Sequence, residues 1–284
     1  MPKKAYEIIK VFNNNAVLVE ADGEEKILYG KGIGFGKKTG RKLEDGAVIE
    51  KIYSVDKQSF HLLAQQTEDY IIGASEDMIF RVEQALGEEL NAKVHTSLID
   101  HIAFMVKRLQ NGEEILNPFL VQTEILYQEE FTIARQAISA LEKALKLKIP
   151  EGEIAFIALH IHSSRAQNQL SSTIRHAFVI NTLTEFIEDE LHFEIDKKSL
   201  DYIRFVTHLR FTIQRLTNGE PVENILLEQV KAAYADSFAL ATRMGGIIRE
   251  ELHLIAEEAE IGYLAVYIER LKRVAGQGQK PSFS

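Results

Sequence analysis

The spacing of apolar residues divides the chain into two textures. Over the first sixty residues they come in short runs rich in β-branched and aromatic side chains: YEIIKVF at 6–12, AVLVE at 16–20, KILY at 26–29 and AVIEKIYS at 47–54. Each run predicts a strand, with turns supplied by Asn13-Asn14-Asn15, Asp22-Gly23 and Asp45-Gly46. The result is a small antiparallel four-stranded sheet. From about residue 60 the apolar positions recur every three or four residues and glycines thin out. Amphipathic runs such as 131–147 there predict helices.

The helical part repeats itself. Residues 98–161 align without gaps on 205–268, and 20 of the 64 positions are identical, several times what chance would give. An offset of 107 residues is the size of a domain, too long for a solenoid repeat. The expected fold is therefore multidomain: the four-stranded β domain, then two homologous all-α helical-bundle domains. The expected boundaries are 1–58, 59–168 and 169–284. The polar stretch 163–173 (SSRAQNQLSST) reads as a linker, and the tail 276–284 (GQGQKPSFS) as a frayed end. Each repeat holds one helix ending at Asn-Gly and another starting after Pro150 or its counterpart Glu257.

Composition narrows the chemistry. With 45% apolar and 26% charged residues, the 284-residue chain has the balance of an ordinary globular protein. The absence of cysteine excludes disulfides, thiolate metal sites and cysteine nucleophiles. No run of 18 apolar residues occurs and the first residues carry no signal-peptide core, so no membrane insertion is expected and the chain is assigned to the cytoplasm. The net charge of −9 is uneven: residues 1–60 hold 11 basic against 9 acidic side chains, the remainder 22 against 33. Residues 31–42 hold five basic side chains (Lys31, Lys37, Lys38, Arg41, Lys42) and no acid. Such a stretch is either a solvated loop or a local field for an anionic partner.

Inside it, Gly30-Lys31-Gly32-Ile33-Gly34-Phe35-Gly36 has glycine at every second position. No helix follows, so the run lacks the strand–loop–helix context of a nucleotide-binding motif. In a strand-like segment, alternating glycines admit close approach of another backbone and leave Lys31, Ile33 and Phe35 standing between them. Phe35 either stacks on a base while lysines meet phosphates, or fills the core of the sheet. So small a module has little core of its own, and pairing of two copies is expected.

The repeat also sorts the nine histidines. His101 and His208 alone occupy equivalent positions, each seven residues before an arginine (Arg108 or Arg215) and on one helix face with it. His160 lies on the apolar run 154–161, where its counterpart is Tyr267. A face of His and Arg is either a polar seam between helices or a phosphoryl-accepting site with arginine as the phosphate's partner. His160-Ile161-His162 makes a poor chelate, because residues two apart do not share a helix face; no metal and no other cofactor is expected. Glu151 and Glu153 read as first-turn residues whose charge suits the helix dipole. No Walker-type loop, nucleophile elbow or spaced carboxylate pair points to an enzyme.

The order of parts resembles the bacterial sugar-operon transcription antiterminators, which join a co-antiterminator RNA-binding domain to two phosphotransferase-system regulation domains. The resemblance is carried by Lys10-Val11-Phe12-Asn13-Asn14-Asn15, by the run 30–38, by Asp100-His101-Ile102-Ala103-Phe104 and by 151–162 (EGEIAFIALHIH). It spans essentially the whole chain, and the wording of 30–38 and 151–162 is most like the glucose-type members. It implies a homodimer that holds a leader mRNA hairpin and keeps an overlapping terminator from forming. The RNA contacts it implies are Lys10, Asn13, Asn15, Gly30, Lys31, Phe35, Lys37 and Lys38. Gly36 stands where some relatives carry Gln, so the RNA preference is expected to differ.

The phosphorylation sites implied by the resemblance are His101, His160 and His208. Their phosphoryl groups would come from phosphotransferase-system proteins: the sugar-specific transporter component and the histidine phosphocarrier protein. Tyrosine forms no labile phosphoramidate, so the fourth site, Tyr267, is expected to be dead. Phosphorylation in the first helical domain is expected to disfavour the RNA-binding dimer through its added charge. The alternative is a phosphotransfer-regulated interaction module whose β domain only dimerises. A DNA-binding activator would need a helix-turn-helix, and residues 1–58 read as strands throughout.

Overall fold

The structure is a computed structural model that describes residues 6–44, 46–113, 116–166 and 169–278. Asp45 of the expected turn, 167–168 of the expected linker and the end of the tail from 279 lie outside the described residues. Strands β1 (Glu7–Val11), β2 (Ala16–Ala21), β3 (Glu24–Tyr29) and β4 (Lys51–Ser54) form one antiparallel sheet in sequence order. Among the described residues the helices are α1 (Lys57–Gln66), α2 (Asp69–Leu86), α3 (Val94–Gln110), α4 (Leu120–Leu126), α5 (Gln128–Leu145) and α6 (Glu151–Arg165). They continue with α7 (Leu170–Leu191), α8 (Leu200–Asn218), α9 (Leu227–Ala233), α10 (Ala235–Leu252) and α11 (Glu258–Gly278).

The chain divides into two compact units, the first made of Met1–Asn117 and Glu129–Leu170. Its sheet is short but covered on both faces. Ile8, Val17, Val19, Leu28 and Ile33 form a core closed by the partly buried Leu43, Ala47 and Ile49. On the opposite face Phe12 meets Phe60 of α1 edge-on at 5.9 Å, and Tyr29 stacks on Phe80 of α2 at 4.2 Å. The β2–β3 hairpin turns through Asp22 and Gly23, both at positive φ, as a two-residue primed turn requires.

Residues 30–36 depart from the strand-like expectation: they form turns, because Gly32 and Gly36 take positive φ values of 76° and 65°. The close-approach reading applies at the other two glycines. A Cβ on Gly30 would lie 2.1 Å from the Val48 carbonyl oxygen, and one on Gly34 2.2 Å from that of Asn13. The fourth strand is also shorter than expected, starting at Lys51.

The second unit consists of Pro118–Gln128 and Ser171–Ser284. Helix α4 packs on α8, where Gln122 donates to Asn181 Oδ1 (2.8 Å) and to the Tyr202 hydroxyl (3.0 Å). The repeat is visible in matching details: Asn117 donates to the Gly152 carbonyl in the first unit, and Asn224 to the Ala259 carbonyl in the second, each at 3.2 Å. The expected linker 163–173 is mostly helical instead. Ser163 and Ser164 lie buried inside α6, and α7 has begun by Leu170. Small hydroxyl side chains fit a packed helix, so polarity alone does not mark an extended linker, although the two units do divide within this stretch, at Leu170/Ser171. Among the described residues no helix is long and apolar enough to cross a membrane.

Candidate functional site

The asparagines between β1 and β2 organise one end of the sheet. Asn13 Oδ1 accepts from the backbone N–H groups of Asn15 (2.7 Å) and Ala16 (2.8 Å), an Asx-type turn. Asn15 in turn clamps the glycine loop, accepting from Gly32 N–H at its side chain (3.1 Å) and from Gly30 N–H at its carbonyl (3.0 Å). The loop so held presents Phe35 to solvent, 72% exposed, while Ile33 takes the core position at 3%. Lys31 and Lys38 flank it in the open, and Lys37 pairs with Glu44 at 2.6 Å. Of the two readings of Phe35, the core one fails.

The residues on the other side of this end are engaged by the first two helices. Asn13 and Asn15 both donate to the Asp77 carboxylate of α2, at 2.9 and 3.1 Å, and the Tyr29 hydroxyl donates to it at 2.8 Å. Burial first, then the bond to Asp77, pushes the Tyr29 phenol above its ordinary pKa, so it stays a donor. Lys10 pairs with Asp69 at 2.7 Å and donates to the Ala64 carbonyl. Gly73 allows this approach: a Cβ there would lie 2.8 Å from the Asn13 side chain. Lys10, Asn13 and Asn15 therefore face carboxylates, whereas Lys31, Phe35 and Lys38 face solvent.

The histidines fall into two matched clusters. In the first unit His101 Nε2 lies 3.1 Å from Glu153 Oε2, and Arg108 donates to Glu153 Oε1 at 2.8 Å. His160 sits beside His101 with ring centroids 5.0 Å apart, and its Nδ1 is buried without a partner. Burial, reinforced by repulsion from His101 when that ring is protonated, pulls the His160 pKa down to about 3. In the second unit Arg215 donates twice to Glu260 (2.7 and 2.8 Å) and Thr212 donates to the same carboxylate at 3.0 Å. His208 Nε2 lies 3.4 Å from the Thr212 hydroxyl. Burial lowers its pKa to about 4, against the raising influence of Glu260. Tyr267 occupies the place of His160, stacked on His208 at 4.6 Å.

Both clusters turn on a carboxylate whose place in a helix's first turn has, from sequence, no more than a dipole role. Glu153 and Glu260 do start α6 and α11, yet each is only 1% exposed. Burial alone would raise the Glu153 pKa; the bonds from His101 and Arg108 outweigh it and hold the carboxylate below its ordinary value. The signal was present in the repeat, which aligns Glu153 with Glu260 as it aligns His101 with His208. The polar seam is therefore built alike in both units: a buried carboxylate tethers an arginine, and holds the histidine directly or through Thr212.

Comparison with known proteins gives the family. The model of the CAT RNA binding domain matches residues 6–60, and that of the PRD domain matches 76–164 and 181–271. Protein GlcT of Staphylococcus epidermidis is 36% identical over 275 residues, covering 93% of this chain and 95% of the relative. Transcription antiterminator LicT of Bacillus subtilis is 32% identical over 277 residues, covering 95% and 100%. A solved structure titled "Crystal structure of GlcT CAT-PRDI" is 39% identical, with a TM-score of 0.49, and covers 56% of this chain and 98% of its own. The chain belongs to the family of transcription antiterminators that join a CAT RNA binding domain to two PRD domains.

Proposed function

We propose that the chain is a transcription antiterminator that, as a homodimer, grips a hairpin in leader mRNA and keeps a terminator from forming. It is a regulator, not an enzyme, and works in the cytoplasm. The observation that carries the reading is the solvent-facing Phe35 between Lys31 and Lys38, on a loop clamped by Asn15. An aromatic face for a base and flanking cations for phosphates are what a single-stranded loop of RNA requires. Gly30 and Lys37 belong to the same loop, and Lys10, Asn13 and Asn15 complete the surface once they part from Asp69 and Asp77.

Control falls to His101, His160 and His208, phosphorylated by a sugar-specific transporter component and the histidine phosphocarrier protein of the phosphotransferase system. A phosphoryl group brings roughly −1.5 to −2 charges. Placed on His101, beside the buried Glu153, or on the neighbouring His160, that charge shifts the equilibrium away from the RNA-binding dimer. The sugar is of the glucose type, as the wording of the motifs suggests.

The test is a titration of the full chain with a hairpin from the leader of the neighbouring transporter operon, across a salt series. A loop-scrambled hairpin serves as control. Submicromolar binding that fades with salt and disappears on scrambling is expected. Equal binding to both hairpins would sink the antiterminator reading, and binding to neither would leave the β domain as a dimerisation unit alone.

A further inference from the structure

The two repeats solve one problem with different atoms. In the first, Glu153 meets His101 Nε2 directly; in the second, Thr212 stands between His208 Nε2 and Glu260. Thr212 replaces Met105 of the first repeat, so the hydroxyl is the second repeat's own device. We infer that Glu153 and Glu260 are positioning residues that hold His101 and His208 by Nε2, leaving Nδ1 of each ring as the atom that takes the phosphoryl group. This rests on the reading of both histidines as phosphoryl acceptors.

A carboxylate held below its ordinary pKa is ionised and can only accept, so the His101 nitrogen facing Glu153 is the one that carries the proton. A neutral imidazole protonated at Nε2 keeps its lone pair at Nδ1, and among the described residues the hydrogen bond of His101 is the one made at Nε2. In the second repeat Thr212 spends its proton on Glu260. Its oxygen is left to accept from His208 Nε2–H, and again Nδ1 holds the free pair. Arg108 and Arg215 fix the two carboxylates in place. His160 presents the opposite edge, because its Nδ1 is the buried nitrogen.

The step balances within the named groups. The Nδ1 lone pair forms the new N–P bond as the N–P bond of the donor's phosphohistidine breaks, and the donor imidazole leaves with that electron pair. The acceptor ring, still protonated at Nε2, becomes a phosphoimidazolium. Its positive charge faces Glu153, or Glu260 through Thr212. A buried carboxylate supports an imidazole in the same way in hydrolytic triads, fixing the tautomer and stabilising the cation.

The test identifies the phosphohistidine isomer. The full chain is phosphorylated by two donors, a phosphorylated histidine phosphocarrier protein and the small molecule phosphoramidate. Peptides containing His101 and His208 are then read with isomer-specific antibodies and long-range 1H–15N correlation. Phosphorus on Nδ1 of both is expected, whereas Nε2-phosphohistidine from either donor overturns the inference. Labelling of Nδ1 by phosphoramidate with no labelling by the carrier would preserve the nitrogen assignment and sink the regulatory reading. No labelling of either histidine by either donor would end both.

Crossed variants separate positioning from folding. Glu153→Gln should slow labelling of His101 at least ten-fold with His208 unchanged, and Glu260→Gln the reverse. Unchanged rates at both histidines would mean that the carboxylates do not position them.

Discussion

Asn13 donates to Asp77 across 2.9 Å, tying the first turn of the sheet to helix α2 sixty-four residues further along the chain. Three donors from the sheet, two of them amides, share that one carboxylate, so the RNA contacts proposed for Asn13 and Asn15 require those amides to leave Asp77. A hydrogen bond to a charged group contributes about 1.5–3 kcal/mol. Asp77→Ala should therefore raise the affinity of the full chain for its hairpin by about ten-fold or more. Gly73→Ala should act in the same direction by steric means, since its Cβ would press on Asn13. Fluorescence titration decides the matter, and unchanged affinity in both variants would remove Asp77 as a competitor.

Phe35 should matter for RNA and not for stability. It is mostly exposed, so Phe35→Ala leaves the sheet's core intact and the thermal midpoint within a degree or so. Loss of a stacked base costs about 1–3 kcal/mol of binding. Lys31→Ala, which removes a proposed phosphate contact, should instead lower the salt slope by about one. A falling midpoint in Phe35→Ala would return that ring to a structural role.

His101→Ala removes one of the two acceptors proposed for the first regulatory domain, together with one bond to Glu153. Antitermination in cells should then stay on without sugar, read from a reporter placed behind the leader terminator. Normal switching would show that His101 is not the negative site.

Acid should weaken the fold through its buried histidines. His160 and His208 titrate near 3 and 4 when folded and near 6.5 when unfolded. Between those values the unfolded chain binds more protons, so stability is full above pH 6.5 and is lost as pH falls towards 4. The slope is up to about 1.4 kcal/mol per pH unit for each histidine. Urea melts at pH 7 and pH 5 measure it, and His160→Gln should flatten the slope; an unaltered slope would clear His160 of any part in it.

The strands and the repeat were legible because they rest on local signals: alternation in 16–20, the Asp22-Gly23 turn, and identities at a fixed offset. The glycine run misled, since the same spacing serves a strand or a chain of turns. Only the positive φ of Gly32 and Gly36 distinguishes them. Glu153 hid for a different reason. A glutamate in a helix's first turn has an adequate local explanation, and the residues that bury it, His101 and Arg108, arrive from α3. Asp77 carried no local mark at all; its importance lies wholly in what folds onto it.

Helix α4 has a practical consequence for dissecting the protein. Its residues lie within the first stretch matched by the PRD model, yet they belong to the second compact unit. Gln122, Thr123 and Leu126 are buried there, and Gln122 satisfies the Tyr202 hydroxyl. A fragment cut at residue 169 would be an incomplete body, with α8 stripped of its cover. The tandem repeat and the compact unit thus do not share a boundary, and a deletion series drawn on repeat boundaries would report damage to α8 as though it were loss of regulation.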